Sequence, residues 1–126
     1  MGWNEYMLRL IKFHKIQVTH LADKYAYDSA KILETAGNSY KVGMVIEGKT
    51  MDSAHLAKFL KKIEFDAQEV SFIIGGPEGL PEAVIKKCNY RWSLSPLTFP
   101  HDLAMVVLLE ALYRASTINA GLPYHK

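Results

Sequence analysis

Residues 70–80 read VSFIIGGPEGL, and this stretch decides the fold. Val70–Ile74 is the most apolar short run in the chain. A run of this length bounded by turn signals predicts a buried strand, since a helix needs more residues. The run ends on Gly75-Gly76, and Pro77-Glu78-Gly79 follows. Pro81 suits the first turn of a short helix read to about Lys87. Strand, glycine turn and helix in immediate succession form the repeating unit of an α/β protein.

Working outward, the alternation continues on both sides. Upstream, Leu56, Phe59, Leu60 and Ile63 repeat at i, i+3, i+4 and i+7, which predicts a helix over 52–63 with Asp52 or Ser53 as its cap. Lys41–Ile46 predicts a strand ended by Gly48. Residues 23–36 read as a helix stopped by Gly37-Asn38. Ile16–Leu21 alternates Ile16, Val18 and His20 with polar residues, which predicts a short strand, and residues 3–14 read as a helix. Downstream, Tyr90–Leu94 is extended, Ser95–Phe99 is a loop, and Pro100 opens a helix to about 119, stopped by Gly121 and Pro123. The expected fold is α/β, a mainly parallel sheet with flanking helices. Ligands of such sheets lie beyond the carboxyl ends of the strands. That directs attention to Glu47-Gly48, Gly75–Gly79 and the 94–99 loop.

The chain has 126 residues, 49% hydrophobic and 22% charged, which suits one domain spanning 1–126. Its single cysteine, Cys88, excludes an intramolecular disulfide and a multi-cysteine zinc site, and fits a reducing cytoplasm. No apolar run approaches the roughly 18–20 residues of a membrane helix, and MGWNEYMLRL lacks a signal-peptide pattern. The net charge of +2 does not by itself identify nucleic-acid binding. It is unevenly spread: residues 1–63 hold ten Lys/Arg against six Asp/Glu, and residues 64–126 hold five against seven. A more solvated first half and a weak basic face for a polyanion both account for this.

Three segments have the residue types for chemistry. In FIIGGPEGL, Phe72–Leu80, the paired glycines suit either a plain structural turn or a ligand approaching the backbone. The segment matches neither GxGxxG nor GxxxxGK[ST]. On the ligand reading, Gly75→Val is expected to abolish binding and leave the fold intact. In SLSPLTFPH, Ser93–His101, no charge precedes the histidine. Such a loop suits a buried connection, or a wall that offers backbone groups to a flat polar ring. In the last helix, Glu110 and Arg114 stand four apart as an ion pair, with phosphate contact the alternative for Arg114. The terminal Tyr124-His125-Lys126 suits a frayed end, or a group that stacks on a base, moves a proton and holds a phosphate. His101 sits at the start of that helix beside the loop. His14, His20 and His55 read as surface or satisfied core histidines. No spacing suits a metal, and no GxSxG motif is present.

IIGGPEGL, WSLSPLTFPH and LLEALYRASTINAGLPYHK, in that order and spacing, resemble the RlmH family, the SPOUT-class methyltransferases of large-subunit ribosomal RNA. The resemblance is strong over about 70–126, looser over 40–66, and only in outline before that. It implies a C-terminal trefoil knot over about 70–126, which general rules of chain threading would not suggest. It implies S-adenosylmethionine as cofactor, a homodimer, and methylation of N3 of a pseudouridine in 23S rRNA on the assembled ribosome. Carried over by position, the cofactor contacts are Met44, Gly75, Leu94, Ser95, Pro96, Leu97, Thr98 and Phe99. The catalytic and substrate-side residues are His101, Arg114, Tyr124, His125 and Lys126. Two departures stand out. The chain begins about thirty residues inside the family pattern, and Met105 stands where the family commonly has arginine. A non-catalytic knotted dimer that binds ribosome or cofactor is the alternative. The dimer is expected to use Leu103, Val106, Val107 and Tyr113 of the last helix, which is too apolar for a monomer surface.

Overall fold

Side-chain alternation along the strands settles which helices cover which side of the sheet. In the computed structural model, residues 3–67, 69–95 and 100–123 are described, the side chains of Trp3 and His101 excepted. Among them a parallel sheet has β1 (Tyr40–Lys49) at its centre, with β2 (Val70–Ile74) on one side and β3 (Tyr90–Trp92) on the other. Tyr40, Val42 and Met44 of β1, Val70, Phe72 and Ile74 of β2, and Tyr90 and Trp92 of β3 share one face. They pack with Leu56, Ala57 and Leu60 of α3 (Ser53–Asp66) and Leu108, Leu112 and Ala115 of α5 (His101–Asn119). Val45 and Ile73 face the other way, toward Ile32 of α2 (Ser29–Ala36) and Leu80, Val84 and Ile85 around α4 (Glu82–Lys87). The result is three layers, helices–sheet–helices.

The two-sided cover follows from chain direction. The β1–α3–β2 crossover moves one way across the sheet, and β2–α4–β3 moves back past β1. Two right-handed crossovers of opposite direction put α3 and α4 on opposite faces. The opposite face approaches closely at Gly43, where an added Cβ would lie 2.8 Å from Cys88 Sγ and 3.4 Å from Leu80 Cδ1. A Gly43→Ala variant is therefore expected to lose about 1–3 kcal/mol in urea unfolding. Adding Cys88→Ala should recover most of that loss, and a Gly43→Ala protein as stable as the parent would contradict the packing.

α1 (Trp3–Leu10) lies on α5, away from the sheet. Leu10 is buried, and the Phe13 ring meets Tyr113 with centroids 6.1 Å apart. His14 joins three elements: Nε2 lies 2.8 Å from Ser116 Oγ of α5, and Nδ1 lies 3.2 Å from Glu64 Oε1 of α3. It is a satisfied packing histidine, as its sequence setting suggests. The end of α5 is closed by Gly121 at φ 69°, with Gly121 N–H donating to Ile118 O and Leu122 N–H to Thr117 O. That paired pattern is a Schellman cap, and Gly121 supplies the left-handed residue it needs.

Four expected elements differ, the first being the helix expected over 3–14, which ends at Leu10 and continues as turns to His14. Residues 16–21 form no strand. Their alternation has no neighbouring strand to pair with among the described residues, and pairing is what makes a strand. The helix expected over 23–36 is two pieces, a 3-10 turn at Asp23–Tyr25 and α2 from Ser29. Asp28 makes the break: its carboxylate accepts from Lys31 N–H at 3.0 Å and caps the second piece. β1 does not stop before Gly48 but runs to Lys49, with a register shift between Met44 and Lys49, both of which pair with Trp92. Gly48 permits this, since a Cβ there would lie 2.8 Å from the Arg91 backbone. The predicted strand Val70–Ile74, and helices 52–63, 81–87 and 100–119, are present to within a few residues, with Asp52 capping α3 through His55 N–H at 2.7 Å. The implied knot involves residues 96–99, which lie outside the described residues.

Candidate functional site

The parallel pairing puts three carboxyl ends on one edge of the sheet. Met44 is in register with Ile74 on one side and Trp92 on the other. The next residues out from that row are Val45, Gly75 and Ser93. Leu94 packs on the same core as Met44. Ser93 is buried, its N–H donates to Lys49 O at 2.8 Å, and its hydroxyl donates to Ser95 O at 2.9 Å. Met44, Gly75, Leu94 and Ser95 are thus brought to one end of the sheet. Pro96, Leu97, Thr98 and Phe99 lie outside the described residues.

The glycine turn has its own reason for being glycine. Gly79 N–H donates to Gly76 O at 2.9 Å, closing a turn with Pro77 and Glu78 at its corner. Gly79 follows at φ 84°. Proline second and a left-handed glycine fourth fit a type I turn with its usual following residue. Behind it, a Cβ on Gly75 would lie 2.5 Å from Gly79 C and 2.6 Å from Leu80 N. The space a side chain would take at Gly75 is filled by the chain itself. The expectation that Gly75→Val spares the fold is therefore overturned. The turn is also held from outside, a contact that sequence spacing gives no sign of: Tyr27 Oη accepts from Glu78 N–H at 3.0 Å.

The substrate-side residues are not one cluster within a chain. His101 opens α5 directly after Pro100. Arg114 lies thirteen residues further on, about 20 Å along the axis. Its guanidinium grips Glu110 Oε2 through Nε at 3.1 Å and a terminal nitrogen at 2.9 Å. The expected ion pair is formed. Tyr124, His125 and Lys126 lie outside the described residues, but the point they leave from is fixed by Leu122 on the Schellman cap. Met105 is half-buried in α5. Burial pushes the Cys88 thiol up, against the pull of Lys41 and Arg91, the direction opposite to that of an activated thiol. Among the described residues no group of three His, Cys, Asp or Glu is placed to hold a metal, and no helix is long and apolar enough to cross a membrane.

In a parallel α/β chain of three layers such as this, ligands lie beyond the carboxyl ends of the strands, the edge that the glycine turn occupies here. Sequence comparison makes this specific. A family model described as predicted SPOUT methyltransferase matches residues 1–125. The chain is 44% identical to the ribosomal RNA large subunit methyltransferase H of Deinococcus radiodurans, over 99% of this chain and 87% of that one. It is 43% identical to the protein of the same name from Deinococcus deserti, over 100% and 88%. With that of Clostridioides difficile it shares 34%, over 100% and 89%. The chain belongs to the SPOUT methyltransferases, and within them to the RlmH family. The match includes the N-terminal third, where the motifs alone gave only an outline.

Proposed function

We propose that this protein transfers a methyl group from S-adenosylmethionine to N3 of a pseudouridine in large-subunit 23S rRNA, on the ribosome, in the cytoplasm. The observation that carries the reading is the near-full-length identity to relatives named as large-subunit rRNA methyltransferases. No feature among the described residues favours the non-catalytic alternative. The chain is read as one domain, 1–126, with its knotted part over about 70–126.

The residues at the strand ends fit the cofactor. Met44, Gly75, Leu94 and Ser95 carry no charge, which suits the flat, uncharged adenine ring of the cofactor. With Pro96, Leu97, Thr98 and Phe99 they would hold it. The bound cofactor supplies an already activated methyl group. What the protein adds is alignment of the attacking nitrogen and removal of its proton. His101 and His125 carry imidazoles, a side-chain type suited to proton movement. Tyr124 suits stacking on the target base, and Arg114 and Lys126 suit phosphate.

Geometry argues for two copies. The 19-residue α5 is about 28 Å long. From Leu122 the four residues to Lys126 reach at most about 14 Å. The tail and His101 of one chain therefore leave from opposite ends of α5, and a site using both is read as taking them from two copies of a homodimer. Exposed Leu103 at one end of α5, and Ile118 and Leu122 at the other, supply apolar surface for such a pairing. Val106 and Val107 are half-buried, and Tyr113 is engaged within the chain by Phe13 and Arg9.

The test is transfer of labelled methyl from S-adenosylmethionine to ribosomes lacking the modification. Label is expected at a single 23S pseudouridine. Absence of label with a cofactor-bound protein would leave only the non-catalytic reading.

A further inference from the structure

Tyr27 sits just before α2, 51 residues before Glu78 of the Gly76–Gly79 turn, yet its hydroxyl is the group that meets the turn's outer amide. In a type I turn the third residue's N–H has no acceptor inside the turn. Here that residue is Glu78, and Tyr27 Oη accepts from it at 3.0 Å. The tyrosine reaches so close because Gly76 has no side chain: a Cβ there would lie 3.2 Å from Tyr27 Oη and 3.5 Å from Ala26 Cβ.

The tyrosine itself is well anchored. Ala26 N–H donates to Asp23 O at 3.1 Å, and Asp28 N–H to Tyr25 O at 3.1 Å, so a 3-10 turn and the start of α2 fix the backbone on either side. Asp28 then caps α2. Two lysines meet the neighbouring Tyr25 ring, with Lys24 Nζ at 5.0 Å and Lys31 Nζ at 5.4 Å from its centroid. The hydroxyl, carried on this bonded backbone, meets a turn closed by Gly79 N–H donating to Gly76 O. That turn packs against Gly75, the residue that follows β2 at the carboxyl edge of the sheet.

We propose that Tyr27 is a positioning residue for the cofactor: its hydroxyl sets the Gly76–Gly79 turn, and through it the backbone of Gly75. This rests on the reading of Gly75 as a cofactor contact. It predicts an effect on cofactor binding first, because the turn closes on Gly75 while Arg114 is held by Glu110 on α5.

The experiment uses Tyr27→Phe, Gly76→Ala and the double variant, with S-adenosylmethionine binding by calorimetry and steady-state transfer to ribosomes. Loss of one hydrogen bond should raise the cofactor Kd and KM about five-fold in Tyr27→Phe. At saturating cofactor kcat should stay within about two-fold, and the KM for ribosomes should not move. Gly76→Ala should weaken cofactor binding similarly by pushing the hydroxyl away. The double variant should be no weaker than Tyr27→Phe, because removing the hydroxyl makes room for the methyl group; a product of the two effects, about 25-fold, would overturn the proposal. Unchanged affinity in Tyr27→Phe, or a fall in kcat with an unchanged cofactor KM, would also overturn it. Faster hydrogen exchange at the Glu78 amide in Tyr27→Phe confirms the contact even if Gly76→Ala does not fold. A parent protein that binds no S-adenosylmethionine while that amide responds would show that the site reading has failed and the contact has not.

Discussion

Gly75→Val is expected to unfold the protein around its glycine turn, and not to yield a folded protein that has merely lost its cofactor. An added Cβ would stand 2.5 Å from Gly79 C, 2.6 Å from Leu80 N and 2.9 Å from Gly79 O. All three are backbone atoms, so no rotamer change relieves them. Leu80 is buried in the core shared with Ile32 and Val84, so the backbone cannot back away without opening that side of the sheet. Overpacking that a core can absorb costs about 1–3 kcal/mol, and this exceeds it. A loss of more than about 3 kcal/mol takes a large part of an ordinary domain's stability. Gly75→Ala carries the same Cβ and should share most of the loss. Gly79→Ala is the useful contrast. It has open space around it but a φ of 84°, so its cost is the conformational one alone, about 1–2 kcal/mol. Urea unfolding should rank Gly75→Val as worst, Gly75→Ala next and Gly79→Ala mildest. A Gly75→Ala protein as stable as the parent would mean that the turn does not close on Gly75.

This reversal shows which parts of the fold the sequence carried. An apolar run with turn signals on both sides, such as Val70–Ile74, depends only on local residues and appears where expected. The same is true of α3, whose spacing and Asp52 cap are both local. Ile16–Leu21 fails because alternation states only what a strand would look like, and a strand also needs a neighbour. β1 outruns its expected end because Gly48 lies against the Arg91 backbone, a contact between residues far apart in sequence. For the candidate site, residue identity located the strand ends but not the reason for each residue. Two glycines after a strand suit a ligand or a backbone neighbour equally, and only packing separates them. Tyr27 was not legible at all, because a half-exposed tyrosine in a loop carries no periodic signal. Arg114 was legible as half of an ion pair with Glu110, and the structure forms that pair.

Deleting Tyr124–Lys126 is expected to lower methyl transfer at least about 100-fold, the scale of a lost acid–base group. The fold should hardly notice. The last buried residue of α5 is Thr117, and the helix end is closed by Gly121 and Leu122, all of which the deletion leaves in place. The melting temperature should therefore stay within about 2 °C, well under the shift that 1 kcal/mol produces in a chain of this size. Cofactor affinity should also hold, since its proposed contacts are on the sheet edge and the 94–99 loop. His125→Ala should reduce turnover more than Lys126→Ala, which should chiefly weaken ribosome binding and its salt dependence. A second arm tests the two-copy site. Tail-deleted protein mixed equally with His101→Ala protein, and allowed to exchange subunits, forms heterodimers in which one copy keeps His101 and the other keeps the tail. If those groups meet across the dimer, one of the two sites in each heterodimer is intact, and activity should return to about one quarter of the parent's. If each site is built within one chain, neither site in the heterodimer is complete and no activity returns. Recovery is the expected result, because α5 separates His101 from the tail by about 28 Å and the tail reaches about 14 Å. Full activity in the deleted protein would instead make Tyr124, His125 and Lys126 a frayed end with no part in the reaction.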